Sequence, residues 1–128
     1  MSDKTITLAT LKDATAQQVF DRVVGHLRKQ GEMSANESGS CYYRFVKEDG
    51  TVLKCAAGCL IGDDEYEEEF DNHSAGTTWN DLLNREQVPA AHQKLIIKLQ
   101  TVHDGYKSWE IGFAEVALAY GLSYTPPA

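Results

Sequence analysis

The sequence lacks both a long hydrophobic run and a surplus of positive charge. No apolar run approaches the roughly 18 residues that a membrane span needs, and no basic stretch followed by an apolar one marks a signal peptide at the N-terminus. The 12 Lys and Arg are outnumbered by 19 Asp and Glu, whereas binding to phosphates or anionic lipids needs clustered cations. These features predict a soluble cytoplasmic protein that binds neither nucleic acid nor membranes directly.

The sequence also lacks the motifs of common catalytic and nucleotide-binding sites. No G-x-S-x-G, Walker or dinucleotide-binding glycine pattern is present. An EF-hand loop counted from Asp63 would place Glu68 at the position that needs glycine and Ser74 at the position that needs glutamate. We therefore expect no enzymatic activity and no cofactor.

Cysteine is scarce, and the three thiols have two interpretations. An odd number cannot pair fully within one chain, which indicates reduced thiols. In the favoured interpretation they fill gaps in the core, and Ala56, Ala57 and Gly58 allow backbones to approach closely. The alternative is a small zinc- or thiol-dependent protein. Its ligands would be Cys41, Cys55 and Cys59, with His73 as a fourth.

The remaining sequence predicts a single α+β domain over residues 1–128, mostly α-helical, with a small antiparallel sheet. An apolar stripe capped by Thr15 and Gln18 indicates a helix over about 15–30. Strands are expected near 41–47 and 51–56 around a turn at Gly50, which would place Cys41 and Cys55 nearly or directly opposite each other.

Further helices and two less regular ends complete the prediction. A helix is expected over 64–70, a short one after Thr77 or Thr78, one from Pro89 to about residue 102, and a last one from Ser108 to Gly121. Residues 103–108 would separate the last two helices. Residues 1–12 are expected to form an extended arm or edge strand, and 123–128 a tail.

The most distinctive feature is a run of seven acids within nine residues. They are Asp63, Asp64, Glu65, Glu67, Glu68, Glu69 and Asp71. Without them the formal charges of the chain balance. A solvated helix surface is the simplest interpretation, and a docking surface for a basic partner is the functional one, since charge complementarity speeds association. A stronger version is mimicry of nucleic-acid phosphates by an inhibitor of a nucleic-acid-binding protein.

Several stretches together resemble a family of small uncharacterised proteins from tailed phages and bacterial genomes. They are "TAQQVFDRVVGHLRKQG", "CYYRF", "KCAAGCLIGDDEY" and "LQTVHD", and the resemblance covers about residues 14–122. It implies a phage or prophage accessory protein in a bacterial cytoplasm, with no activity to carry over. The chain departs from the family pattern in Gly62, where proline is common, and in its longer acidic run.

The leading hypothesis is a non-enzymatic accessory protein that binds and modulates a bacterial host protein, for example as an inhibitor. Its partner would present a basic surface to the acids of residues 63–71. The alternatives are the zinc- or thiol-dependent protein and the nucleic-acid mimic.

Overall fold

A computed structural model describes residues 6–36, 38, 40–71, 78–105 and 108–126. In this part of the chain, four α-helices accompany one two-stranded antiparallel sheet, which confirms the predicted α+β fold. The helices are α1 (Ala16–Gln30), α2 (Trp79–Asn84), α3 (Gln93–Gly105) and α4 (Trp109–Tyr120), and the strands are β1 (Arg44–Val46) and β2 (Val52–Lys54). Short 3-10 turns span Leu11–Asp13, Gly58–Leu60 and Glu68–Asp71.

Helix α1 forms as its sequence predicts. The Thr15 side chain accepts from the backbone N–H of Gln18, and the Gln18 side chain accepts from the backbone N–H of Thr15, so both halves of the capping box are present. Gly31 ends the helix at φ 75°, a left-handed conformation that glycine adopts without steric cost. The apolar stripe is buried, with Leu27 and Phe20 in the core.

The hairpin is present, but its strands are shorter than predicted. Arg44 pairs with Lys54 and Val46 with Val52, so this register sets residue 43 opposite 55, and Cys41 and Cys55 are not partners. Cys41 forms instead an isolated bridge with Ala35. After β2 the chain passes so close to β1 that a Cβ on Gly58 would lie 2.1 Å from the carbonyl oxygen of Tyr43. The predicted close approach at Gly58 is therefore confirmed.

The helix predicted over 64–70 does not form. Residues 63–65 make a turn, and only Glu68–Asp71 are helical, in a 3-10 turn. Neighbouring acids repel each other in a helix, and two of these acids bind backbone groups in distant segments instead. The rings of Tyr66 and Phe70 nevertheless pack edge to face, with their centroids 6.0 Å apart.

Helices α1, α3 and α4 pack around a core that includes Phe20, Leu99 and Phe113. Helix α3 continues to Gly105, so the break predicted at residue 103 comes too early. In α4 the Ser108 hydroxyl caps the N-terminus, and Gly121 ends the helix in the left-handed conformation. The N–H of Leu122 bonds the carbonyl of Ala117, as in a Schellman motif.

The N-terminal end of the described chain forms a local turn, and the C-terminal end bonds helix α1. Residues 6–10 form no strand; Thr7 and Thr10 make a turn that leads into the Leu11–Asp13 3-10 turn, because side-chain and backbone bonds between the two threonines close it locally. Near the C-terminus, the N–H of Ser123 donates to Gln17 of α1. No helix within these described ranges is long and apolar enough to cross a membrane.

Candidate functional site

The acidic segment, residues 63–71, is divided by the fold into anchoring and outward-facing carboxylates. Asp63 accepts from Lys54 at 3.0 Å and from Arg44 at 3.1 Å. The bond to Lys54 lowers the pKa of Asp63, with Arg44 acting in the same direction. Because the Asp63 side chain is 76% exposed, solvent screens this ion pair and its contribution to stability is small.

Two other acids in the segment bind backbone N–H groups across the fold. Glu65 accepts from the N–H groups of Leu8, Ala9 and Gly62 at 2.8–3.0 Å. Its side chain therefore ties the N-terminal turn to the acidic segment. Such charge-assisted bonds are stronger than neutral ones, so Glu65 acts as an anchor.

Asp71 anchors the other end of the segment. Its carboxylate accepts from the N–H of Tyr43 at 2.7 Å and from that of Arg44 at 3.2 Å, and the Tyr66 hydroxyl donates to it at 2.5 Å. Burial, followed by this hydrogen bond to Asp71, raises the pKa of Tyr66. Asp71 thus covers two backbone donors at the start of β1.

Besides the exposed, ion-paired Asp63, four acids lie on the outside. Asp64, Glu67, Glu68 and Glu69 are exposed, whereas Phe70 beside them is buried. The carboxylate of Glu69 accepts from Gln87 at 2.6 Å, and the other three make no hydrogen bond within the described residues. The structure therefore places part of the predicted acidic surface in solvent and assigns the rest to anchoring.

The buried thiols Cys55 and Cys59 are held in the core. The N–H of Gly58 approaches the Cys55 sulfur at 3.2 Å, and the Cys59 thiol donates to the carbonyl of Ala56 at 3.2 Å. Burial raises the pKa of both, that of Cys59 to about 12. Their protons therefore remain on sulfur near neutral pH, where a nucleophile or metal ligand would need the thiolate.

Cys41 belongs to a different group from the one predicted. Its sulfur, a ring nitrogen of His103 and a carboxylate oxygen of Asp104 all lie within 4.8 Å of one another. Among the described residues, these three are the group whose residue types and spacing could hold a metal ion. Of the ligands predicted with Cys41, Cys55 and Cys59 are not in this group, and His73 lies outside the described residues.

Hydrogen bonds occupy both ring nitrogens of His103. The N–H of Ser34 donates to Nε2 at 3.0 Å, so Nε2 carries the lone pair and the ring proton is on Nδ1. Nδ1 in turn donates to Asp104 at 2.6 Å, and the ring of Trp109 stacks at 5.7 Å. A metal bound at Nδ1 would leave a proton on Nε2 facing the Ser34 donor, which opposes metal binding.

The same network opposes activation of the Cys41 thiol. Burial, and secondly the charge of Asp104 together with its hydrogen bond, raises the pKa of Cys41 to about 12. Gln100 donates to Asp104 at 2.8 Å and accepts from the N–H of Ala57 at 2.9 Å. The Cys41–His103–Asp104 cluster therefore joins the loop before β1, the turn after β2 and helix α3.

The sequence contains a signal for this cluster that the prediction missed. Gln100, His103 and Asp104 are spaced i, i+3, i+4, which places them on one side of a helix. Because the predicted helix ends before residue 103, the prediction does not recognise this spacing as one side of a helix. The contribution of Cys41 and Ser34 depends on long-range packing, so no local pattern reveals it.

A cleft of about 330 Å³ opens beside the cluster, between the hairpin and helices α2 and α3. Polar residues that line it already have partners: Asp71 binds the start of β1, and Gln100 bridges Ala57 and Asp104. Thr101 donates to the carbonyl of Ile97. These groups support the walls of the cleft.

Comparisons with protein-family models, with curated proteins and with solved structures return no match for the chain.

Proposed function

We propose that the protein is a non-enzymatic protein-binding module whose contact surface is the acidic segment. The phage-type setting rests on the sequence resemblance, which makes a basic surface of a bacterial host protein the proposed partner. One observation carries the proposal: anchoring acids fix the segment, and Asp64, Glu67, Glu68 and Glu69 extend from it into solvent.

This arrangement favours binding because the segment is ordered before a partner arrives. Glu65 and Asp71 hold its two ends to the backbone of other segments, and Phe70 packs into the core between them. A preformed surface lowers the entropy cost of association. Outside the segment the formal charges balance, so the negative potential is concentrated there and would steer a basic partner.

The two alternatives have weaker physical support. The raised pKa values of all three thiols oppose thiol chemistry and metal ligation. A nucleic-acid mimic needs negative charge spread over much of its surface, whereas the surplus charge here belongs to one segment. Both arguments favour docking of a limited basic patch.

The experiment is a tagged pull-down from bacterial lysate near physiological ionic strength, about 0.15 M, followed by mass spectrometry. The test variant combines Asp64→Asn, Glu67→Gln and Glu68→Gln, whose carboxylates make no hydrogen bond within the described residues. A matched control neutralises three exposed acids elsewhere: Asp13→Asn, Asp21→Asn and Glu86→Gln.

We expect one host protein to be enriched by the wild type and the control and to be lost with the test variant. The purified pair should also dissociate as salt concentration rises. Equal enrichment by both variants would show that the acidic segment is not the contact. If DNA competes with this protein for its partner, the mimic becomes the better description.

A further inference from the structure

A second surface lies at the turn of the hairpin, at the end of β1 away from Asp71. There a groove of about 760 Å³ separates β1 and the turn that follows it from the loop after α1. Phe45 and Leu53, which face each other across the two strands, provide apolar lining. Ala35, Asn36 and Ser38 line the opposite side. The groove is open and apolar at its base, which suits a chain segment with apolar side chains.

The rim of the groove is negatively charged. Glu32, Glu48 and Asp49 line it together with one cation, Lys47. Lys47 is paired with Glu32 at 3.2 Å, so the lining carries two negative charges in excess, those of Glu48 and Asp49. The Asp49 carboxylate also accepts from the N–H of Thr51 at 2.9 Å. An apolar base with a negative rim is complementary to a segment that alternates apolar and basic residues.

The edge of β1 offers backbone hydrogen bonds at this groove. The N–H of Lys47 donates to the carbonyl of Thr51 at 2.8 Å, which marks residues 47 and 51 as a hydrogen-bonded pair. Because such pairs alternate with non-bonded pairs in an antiparallel ladder, the N–H and C=O of Val46 point away from β2. The next outward N–H on β1, that of Arg44, already donates to Asp71.

On the outer edge of β1, Val46 is therefore open, whereas Arg44 is covered. Val52 is the corresponding outward position on β2, but it does not line the groove. On β2, the outward N–H of Lys54 donates to Gln30, and its carbonyl accepts from Gln30 and contacts His26. No comparable side chain within the described residues bonds the backbone of Val46, whose surface is 56% exposed. Proteins normally protect such edges, so an open edge beside a groove is a candidate for strand addition.

We propose that this groove binds an extended peptide of the partner, with alternating apolar and basic residues, as an additional strand along β1. Apolar side chains of the peptide lie against Phe45 and Leu53, and its Lys or Arg side chains pair with Glu48 and Asp49. The added strand cannot extend along β1 as far as Arg44, because the outward N–H of Arg44 already donates to Asp71 of the acidic segment. The inference rests on the proposed function and deepens it by naming the part of the basic partner that binds.

The experiment uses a fluorescein-labelled peptide of alternating valine and lysine, roughly six residues long, the usual length of a strand. One control replaces each lysine with glutamate, and a second is N-methylated at every residue, so that it cannot donate backbone hydrogen bonds in either strand direction. Binding is measured by fluorescence anisotropy and mapped by amide chemical shifts. We expect the lysine peptide to shift the Val46 and Phe45 amides, the glutamate peptide not to bind, and N-methylation to weaken binding about tenfold.

Two charge reversals locate the binding site. Glu48→Lys acts at the rim of the groove, and Asp64→Lys makes the same change on the acidic segment. We expect Glu48→Lys to weaken peptide binding about tenfold, in the range of one strong ionic contact, and Asp64→Lys to weaken it much less. Val46→Pro removes the outward N–H at a position where an edge strand tolerates proline, and it should also weaken binding if the variant remains folded by circular dichroism.

The inference is overturned if the glutamate peptide binds equally well, if both charge reversals weaken binding to the same degree, or if the shifts lie away from β1. Its failure is distinguishable from that of the proposed function. A lysate partner that is lost with the triple acidic variant but retained by Glu48→Lys would leave the acidic contact standing and remove the groove. The reverse result would keep the groove and remove the acidic contact.

Discussion

The acidic segment and the Cys41–His103–Asp104 cluster contain similarly polar side chains, yet the fold uses them differently. In the cluster, His103 is 1% exposed, and its ring nitrogens bond Ser34 and Asp104. In the acidic segment, Glu65 and Asp71 bind backbone donors, while Glu67 and Glu68 remain in solvent. A polar side chain becomes structural where an unsatisfied backbone group lies within reach, and it stays available for a partner where none does.

The contrast explains why residue type alone is a poor guide to function here. A cysteine, a histidine and an aspartate close together suggest catalysis or metal binding. Here their hydrogen bonds join three chain segments. The raised pKa of Cys41 opposes its use as a nucleophile or metal ligand. The acidic segment, by contrast, retains three carboxylates, those of Asp64, Glu67 and Glu68, that make no hydrogen bond to a described residue.

The largest predicted effect concerns Gly58, where the chain after β2 passes close to the backbone of Tyr43. Gly58→Ala would place a Cβ 2.1 Å from the backbone oxygen of Tyr43, and a backbone atom cannot rotate away. We expect a loss of about 3 kcal/mol in the free energy of unfolding, at the upper end of the usual cost of overpacking, measured by urea denaturation.

Gly25→Ala is the matched control for this substitution. Gly25 is an exposed position in α1 where a Cβ would meet nothing within 4 Å. Alanine there should stabilise the protein by about 0.5–1 kcal/mol, because it lowers the entropy of the unfolded chain. Similar stabilities for both variants would contradict the close approach at Gly58.

A second pair of variants tests the division of the acidic segment directly. Asp71→Asn keeps the shape but removes the charge that accepts from Tyr43, Arg44 and Tyr66, and should cost about 2 kcal/mol. Glu67→Gln should change stability by less than about 0.5 kcal/mol, because an exposed side chain makes few contacts. Both are measured by denaturant unfolding, and equal losses would show that the segment is not divided in this way.

The pH dependence of stability tests how strongly a half-buried histidine depends on its surroundings. Burial lowers the pKa of His26 below its ordinary value of 6.5, and its Nε2 contacts the carbonyl of Lys54 at 2.9 Å. Below pH 6.5 the unfolded chain takes up a proton that the folded state resists, so stability falls as pH drops from 6.5 to the folded-state pKa.

His26→Gln should flatten this part of the stability curve while leaving a side-chain donor near Lys54. Thermal unfolding at several pH values between about 5 and 8 provides the measurement. An unchanged slope in the variant would assign the pH dependence to another group.

The smallest expected effect concerns the reactivity of Cys41. Its raised pKa leaves little thiolate at pH 8, and the charge of Asp104 is the second cause of that rise after burial. Asp104→Asn should therefore increase the rate of modification by a disulfide reagent several-fold in the folded protein. Adding Cys41→Ser should abolish the increase; if it persists, the reacting thiol is another cysteine.

Local sequence patterns predicted the helices better than the polar contacts. The capping box of Thr15 and Gln18 and the cap at Ser108 form as expected, because their partners lie within one helical turn. The helix over 64–70 fails because Glu65 and Asp71 bind residues 57 and 28 positions away in sequence. No propensity scale contains such partners.

The sequence by itself determined the α+β class, the position of the hairpin and the concentration of surplus charge in residues 63–71. These follow from hydrophobic periodicity, turn residues and composition, all of which act over a few residues. Tertiary structure decided which acids anchor and which face solvent, and it brought Cys41 to His103 and Asp104. Those outcomes depend on which distant backbone donors need partners, and only the packed chain specifies that.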